Sequence, residues 1–166
     1  MDARRYHYVG PDAIRDRPRG EPGAVIGSPA DLAGWLVGCP EATTEGATYV
    51  VDDRGALRLA PRRSEHIDCA GGGTVLAAGE IRFSRHGAVL EVSNQSTGYC
   101  PDPDCWPVVA AALRSAGVAA PVGFTRRFVF RRCFTCGQIN LIKDDWYVCA
   151  ACDADLPRAW NFASTG

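Results

Sequence analysis

The sequence lacks any long apolar run, and its longest uninterrupted apolar segment covers only residues 107–113. A membrane-spanning helix needs about 20 such residues, so we expect no contact with a membrane. The first ten residues also lack the apolar stretch of a signal peptide. These two absences predict a cytoplasmic protein.

Several catalytic motifs are absent as well. The chain has no G-x-S-x-G, no H-E-x-x-H, and neither the H-x-E nor the P-C-x-x-C sequence of zinc deaminases. The three glycines at residues 71–73 lack the Gly-Lys-Ser/Thr ending of a phosphate-binding loop and precede a predicted strand instead of a helix. The sequence therefore argues against each of these enzyme classes.

Eight cysteines are present in a chain without a secretory signal, so we expect free thiols and not a disulfide framework. Cys133 and Cys136 form one C-x-x-C pair, Cys149 and Cys152 form a second, and 12 residues separate the pairs. This spacing is typical of a four-cysteine zinc ribbon. The alternatives are a pair of redox dithiols or cysteines without a metal.

The segment around these pairs has further features of a ribbon. Gly137 follows the first pair at a point where a tight turn is needed, and strands are predicted at residues 139–142 and 146–148 around an Asp-Asp turn. Four thiolates leave no open position on zinc, so we expect a structural ion. We assign residues 125–166 to this ribbon.

Residues 1–124 are predicted to form an α+β domain built on antiparallel hairpins with two helices, after a turn-rich stretch over residues 1–47. Ser28 is expected to cap the first helix and Gly38 to end it, and the second helix is predicted at residues 106–116. The predicted strands cover residues 48–51, 56–60, 74–84, 88–93 and 124–130. The loop at residues 61–73 shows no regular pattern.

The middle of the chain contains H-I-D-C-A-G-G-G at residues 66–73, A-A-G-E at residues 77–80, S-T-G-Y at residues 96–99 and a proline at residue 101. In order and spacing, this resembles the core domain of plant IQ-motif calmodulin-binding proteins and bacterial polymorphic-toxin-like proteins, over about residues 47–124. The chain departs from that family at Gly98, where the family has histidine, and at Ile67 and Asp68, where it has serines. It also has no IQ pattern, so calmodulin binding is not transferred.

The same stretch contains two sets of candidate site residues. One is an active-site or ligand pocket formed by His66, Glu80, Asn94 and Tyr99, in which His66 or Glu80 would transfer a proton. The alternative is a polar network that holds the glycine loop on the sheet. The other set is a second metal site, whose ligands would be His66, Cys69, Cys100 and Cys105. The alternative is that these cysteines are free buried thiols.

Charge is distributed unevenly, because residues 106–143 contain six basic and no acidic residues although the net charge is -1. Such a segment attracts an acidic or phosphate-bearing surface, unless it is only a solvated face. The arginines near the ribbon are Arg126, Arg127, Arg131 and Arg132. Strand alternation places the phenylalanines at residues 124, 128 and 130 on the core side, which makes them poor base-stacking groups. We therefore expect a protein partner, with weak and salt-dependent nucleic-acid binding.

Two functions follow from these observations. The first is a zinc-binding soluble protein that acts as a binding or interaction module for another protein. The second is an enzyme, related to toxin-like proteins, whose pocket would surround His66, Glu80, Asn94 and Tyr99.

Overall fold

A five-stranded antiparallel sheet forms the centre of the chain in the computed structural model, which describes residues 2–163. A separate two-stranded sheet lies near the C-terminus, and the combination of helices with these antiparallel sheets confirms the predicted α+β fold. Within the described residues the helices are α1 (Asp12–Asp16), α2 (Pro29–Gly38), α3 (His66–Cys69) and α4 (Trp106–Ser115). The strands are β1 (Ala24–Ile26), β2 (Ala47–Asp52), β3 (Leu57–Pro61), β4 (Val75–Phe83), β5 (Val89–Val92), β6 (Val129–Arg132) and β7 (Ile139–Ile142). Short 3-10 helices cover Pro40–Thr43 and Pro103–Cys105.

The large sheet has the strand order β1-β3-β2-β4-β5, and both predicted hairpins are confirmed. The β2–β3 turn is held by Asp52, whose Oδ1 accepts hydrogen bonds from the backbone N–H groups of Arg54 and Ala56. Its Oδ2 accepts one from Arg58 Nε at 2.8 Å. All six residues of β2 are buried, because this strand has a neighbour on each side and helices above it.

The two longer helices begin and end close to their predicted positions. Ser28 Oγ accepts a hydrogen bond from the backbone N–H of Asp31 at 3.1 Å, and this satisfies one of the free donors at the start of α2. Leu32 and Leu36 of α2 are buried against the sheet. Gly117 follows α4 with a φ of 72°, a backbone conformation that favours glycine. None of the helices within residues 2–163 combines the length and apolar character needed to cross a membrane.

Some element predictions are wrong. The loop at residues 61–73 contains the single-turn helix α3, and α1 and β1 occupy a stretch for which turns were the expectation. The strand predicted at residues 124–130 begins only at Val129, because the backbone of Phe128 is hydrogen-bonded to the Asn94 side chain. The strand predicted at residues 146–148 consists of one isolated bridge between Val148 and Asp155.

The C-terminal segment packs on the central domain through a small apolar cluster of its own. Cys100, Phe130 and Phe162 are buried together there, and Trp160 packs against them. The indole Nε1 of Trp160 donates a hydrogen bond of 2.8 Å to the carbonyl oxygen of Cys100. This contact holds the segment around Trp160 beside the S-T-G-Y segment of the core.

Candidate metal centre

The two C-x-x-C pairs bring four sulfur atoms together at one end of the β6–β7 hairpin. The Sγ atoms of Cys133, Cys136, Cys149 and Cys152 lie within 4.8 Å of one another. The Cys133–Cys152 and Cys136–Cys149 sulfur pairs are both 3.6 Å apart, too far for a disulfide. A tetrahedron with metal–sulfur bonds of about 2.3 Å has sulfur–sulfur edges of about 3.8 Å. The four-cysteine cluster therefore has the dimensions needed to bind a metal ion.

The two pairs have the same backbone structure. In the first, the C=O of Cys133 accepts from the N–H of Gly137 and its N–H donates to the C=O of Gln138. In the second, Cys149 makes the equivalent bonds with Asp153 and Ala154. Gly137 has a φ of 79° and Asp153 a φ of 63°. These repeated turns direct the sulfurs of both pairs toward a common point.

Asn140 supports the cluster from the buried face of β7. Its Nδ2 donates to Cys149 Sγ at 3.5 Å, and its Oδ1 accepts a hydrogen bond of 2.9 Å from the backbone N–H of Ala150. The hydrogen bond from Asn140, with those from the N–H groups of Ala151 and Cys152, lowers the pKa of Cys149 to about 6. The thiolate, the form that binds metals, is thereby favoured at this residue.

The hypothetical second metal site is not assembled. Across residues 2–163 the ribbon cysteines are the only group of three or more His, Cys, Asp or Glu residues whose ligand atoms lie this close together. Cys69 Sγ instead donates to the carbonyl oxygen of Arg58, and Cys100 Sγ donates to that of Thr97. Burial raises the pKa values of Cys69, Cys100 and Cys105 to about 12, so these residues remain protonated thiols.

The four candidate catalytic residues use their polar groups in separate contacts. His66 Nε2 donates to the carbonyl oxygen of Gly79 at 2.9 Å. Tyr99 Oη donates to the carbonyl oxygen of Gly73 at 2.6 Å. The Glu80 carboxylate is 3.9 Å from the guanidinium of Arg62, which is itself exposed.

Asn94, the last of the four, is fully buried and joins three backbone groups. Its Nδ2 donates to the carbonyl oxygens of Pro101 and Phe128, and its Oδ1 accepts from the N–H of Phe128. Within residues 2–163, no hydrogen bond links any two of the four candidates. Their contacts correspond to the alternative hypothesis, a polar network that holds the loop and the C-terminal segment on the sheet.

Replacing Asn94 by alanine is expected to destabilise the fold by about 3 kcal/mol, because three buried or partly buried backbone groups lose their partner. The comparison is Gln95→Ala at the neighbouring position, which should change the free energy of unfolding by less than about 0.5 kcal/mol. Chemical denaturation of both variants measures the difference. Equal effects of the two substitutions would contradict a bridging role for Asn94.

His66 gives the fold a pH dependence whose sign is fixed by its surroundings. Burial lowers its pKa below the usual 6.5, although the bond to Gly79 and the nearby Glu80 carboxylate act in the opposite direction. The unfolded chain then binds a proton more readily, so the contribution of His66 to stability is complete above pH 6.5 and declines as the pH falls below it. His66→Gln should show a smaller loss of stability between pH 7.5 and 5.5 than the wild type, as measured by chemical denaturation at both pH values. An unchanged pH slope for His66→Gln would refute this prediction.

The arginines near the ribbon do not form one continuous cationic surface. Arg126 and Arg127 are exposed. Strand alternation predicts that Arg131 faces outward, but its side chain is buried, donates to Asp102 Oδ1 at 3.1 Å and contacts the carbonyl oxygen of Arg158. Arg132 is half-buried, with its guanidinium 5.4 Å from the ring centre of Phe162. Alternation alone did not show that the C-terminal segment covers this face.

Asn140 and Asp68 have structural roles that the sequence did not signal. Asp68 is buried in α3 and accepts hydrogen bonds from Arg17 and Arg19, which fasten the N-terminal segment over the glycine loop. Only the position of Asn140 between the two C-x-x-C pairs could have marked it as a ligand-supporting residue. For Asp68, no local pattern distinguishes the residue, because its partners lie about 50 residues away.

Comparison with known proteins leaves the site to be interpreted from its own geometry. No protein-family model, curated protein or solved structure matches this chain.

Proposed function

We propose that this protein is a zinc-stabilised interaction module whose partner is another protein. Cys133, Cys136, Cys149 and Cys152 would hold the ion. Thiolate ligands in a tetrahedral arrangement favour zinc over magnesium, calcium or manganese. When bound, zinc would offset part of the negative charge of the four thiolates and link them, and no position would be left for a catalytic water.

The ion's role in this proposal is to fold the ribbon. Within the described residues, the apolar cluster around the sulfurs has three buried members, Cys133, Cys149 and Leu156, and three partly buried ones, so two of its three buried members are proposed ligands. A core of this size cannot offset the entropy of ordering the segment. Metal binding supplies the missing free energy.

The interaction role is supported by a single observation about aromatic side chains. The chain has four Trp, five Tyr and six Phe residues, all within residues 2–163, and only Phe134 and Trp146 are exposed. Their exposed fractions are 77% and 70%, and both lie on the ribbon. Exposed aromatic residues are enriched where proteins bind one another, and Leu141 of β7 is also 40% exposed.

A protein partner fits this surface better than a nucleic acid. Nucleic-acid binding needs a row of free cations. Only Arg126 and Arg127 among the four arginines near the ribbon are exposed, because Arg131 is paired with Asp102 and Arg132 is half-buried against Phe162. The phenylalanines at residues 124 and 128 are partly buried against other apolar side chains.

The double variant Phe134→Ser/Trp146→Ser tests the interaction role. We expect the wild type to retain a protein partner after cross-linking and stringent purification, and the double variant to retain much less of the same partner. The zinc content of the double variant should stay at one ion per chain. Val122→Ser is the matched control, because Val122 is fully exposed outside the ribbon strands and should not affect partner retention. Equal retention by the wild type and the double variant would contradict the proposal.

A binding measurement with oligonucleotides tests whether the partner is a protein or a nucleic acid. Fluorescence anisotropy with mixed-sequence single- and double-stranded oligonucleotides should show weak binding that falls steeply as salt is raised. Submicromolar, sequence-selective binding at physiological salt would instead make nucleic acid the partner.

A further inference from the structure

A cavity of about 400 Å³ lies outside the metal centre, where three parts of the fold meet. Its walls come from α2, from the turn between β4 and β5, and from the segment that follows α4. The lining is mainly aliphatic. It includes Leu32, Ala33, Leu36, Ala88, Val118 and Ala119.

Two glycines pack closely against side chains of α2 and set the positions of the cavity walls. Gly87, in the β4–β5 turn, has a φ of 83°, and a Cβ atom there would be 3.3 Å from Leu32 Cδ2. Gly117, after α4, has a φ of 72°, and its Cβ would be 2.9 Å from Pro29 Cδ. Because both turns pack directly on α2, the cavity is a built feature of the fold.

The cavity has one permanently charged side chain, the cation Arg85. Arg85 and His86 are exposed parts of the lining, and no acidic residue belongs to it. Within residues 2–163, neither side chain takes part in an ion pair. The anionic partner that would complement Arg85 is therefore not supplied by the described part of the chain.

An adjoining cleft extends the apolar surface. This cleft of about 680 Å³ shares Ala33, Leu36 and Arg85 with the cavity. It also exposes Val37, 84% of which is accessible to solvent, and includes one acidic residue, Glu41. A ligand in the cavity thus has room to continue along α2.

We propose that this cavity binds a small amphiphile with an aliphatic body and one anionic group. The body would contact Leu32, Leu36 and Val118, and the anionic group would pair with Arg85. A volume of this size, with apolar walls and few polar groups, is typical of small-molecule sites. The proposal is independent of the metal centre.

Octanoate is a suitable probe for this site, titrated into zinc-loaded full-length protein and followed by two-dimensional NMR. We expect saturable binding with a Kd of about 1 mM, and shift changes confined to residues around the cavity. Octanol should bind more weakly, and octyltrimethylammonium, with the same chain and opposite charge, should bind weakest.

Three variants separate the apolar and ionic contributions. Arg85→Gln should weaken octanoate binding about fivefold and leave octanol binding unchanged. Arg54→Gln, at an exposed arginine in the β2–β3 turn, should change neither. Ala33→Phe, at an exposed position of α2, should block both probes while the spectrum stays folded.

The proposal is overturned by equal binding of the anionic and cationic probes, or by octanoate binding that Arg85→Gln does not weaken. Shift changes that do not saturate, or that spread over the ribbon, would also overturn it.

Discussion

Cys149→Ser is expected to abolish metal binding and unfold the ribbon, and no other substitution proposed for this protein should have a larger effect. Serine keeps the size of the side chain but removes the thiolate that Asn140 and the N–H groups of the second C-x-x-C turn stabilise. Apparent zinc-binding free energies in small metal-folded units are roughly 10 kcal/mol or more. Loss of one ligand therefore removes most of the free energy that orders this segment.

The measurement has two parts. Metal analysis should fall from one zinc per chain to a small fraction, and NMR signals of β6 and β7 should move to unfolded positions while those of β2 and β4 remain. Cys39→Ser is the matched control, because Cys39 lies at the end of α2 and is not among the clustered cysteines. A Cys149→Ser protein that keeps one zinc ion, or wild-type protein that contains no zinc after metal-free purification and reloading, would refute the metal assignment.

The features that the sequence predicted correctly depend on local spacing. Two residues between cysteines are enough to define each C-x-x-C turn, and the 12-residue separation leaves room for the β7 strand between the two pairs. The start of α2 follows from Ser28 and Pro29 alone, since capping involves neighbouring residues. Such features need no knowledge of what the segment packs against.

The features that were missed depend on partners far along the chain. β1 has three residues, of which only Ile26 is buried, and it exists because it pairs with β3. The burial of Arg131 depends on a C-terminal segment with no regular secondary structure. The candidate active site combined polar residues near a glycine-rich loop, but composition cannot show that the side chains of His66, Asn94 and Tyr99 are each hydrogen-bonded to the backbone.

Gly79→Ala is expected to destabilise the central sheet by about 4 kcal/mol or more, which is exceptional for the addition of one methyl group. An added Cβ at Gly79 would be 1.9 Å from the carbonyl oxygen of Ser93 and 2.7 Å from its carbonyl carbon. Neither atom can rotate away, because both are backbone. The same Ser93 oxygen accepts a hydrogen bond of 2.7 Å from Tyr49 Oη, so moving it would also disrupt the core.

Gly34→Ala is the matched control for this prediction. Gly34 lies within α2, where an added Cβ meets no atom within 4 Å, and alanine in a helix interior is favoured over glycine by about 1 kcal/mol. The same chemical change should thus stabilise the protein at residue 34 and destabilise it at residue 79, as measured by chemical denaturation. If Gly79→Ala were as stable as the wild type, the backbone at Ser93 would have to move away from β4 at no cost in free energy. That result would contradict the prediction that the close approach of Gly79 to Ser93 requires glycine at residue 79.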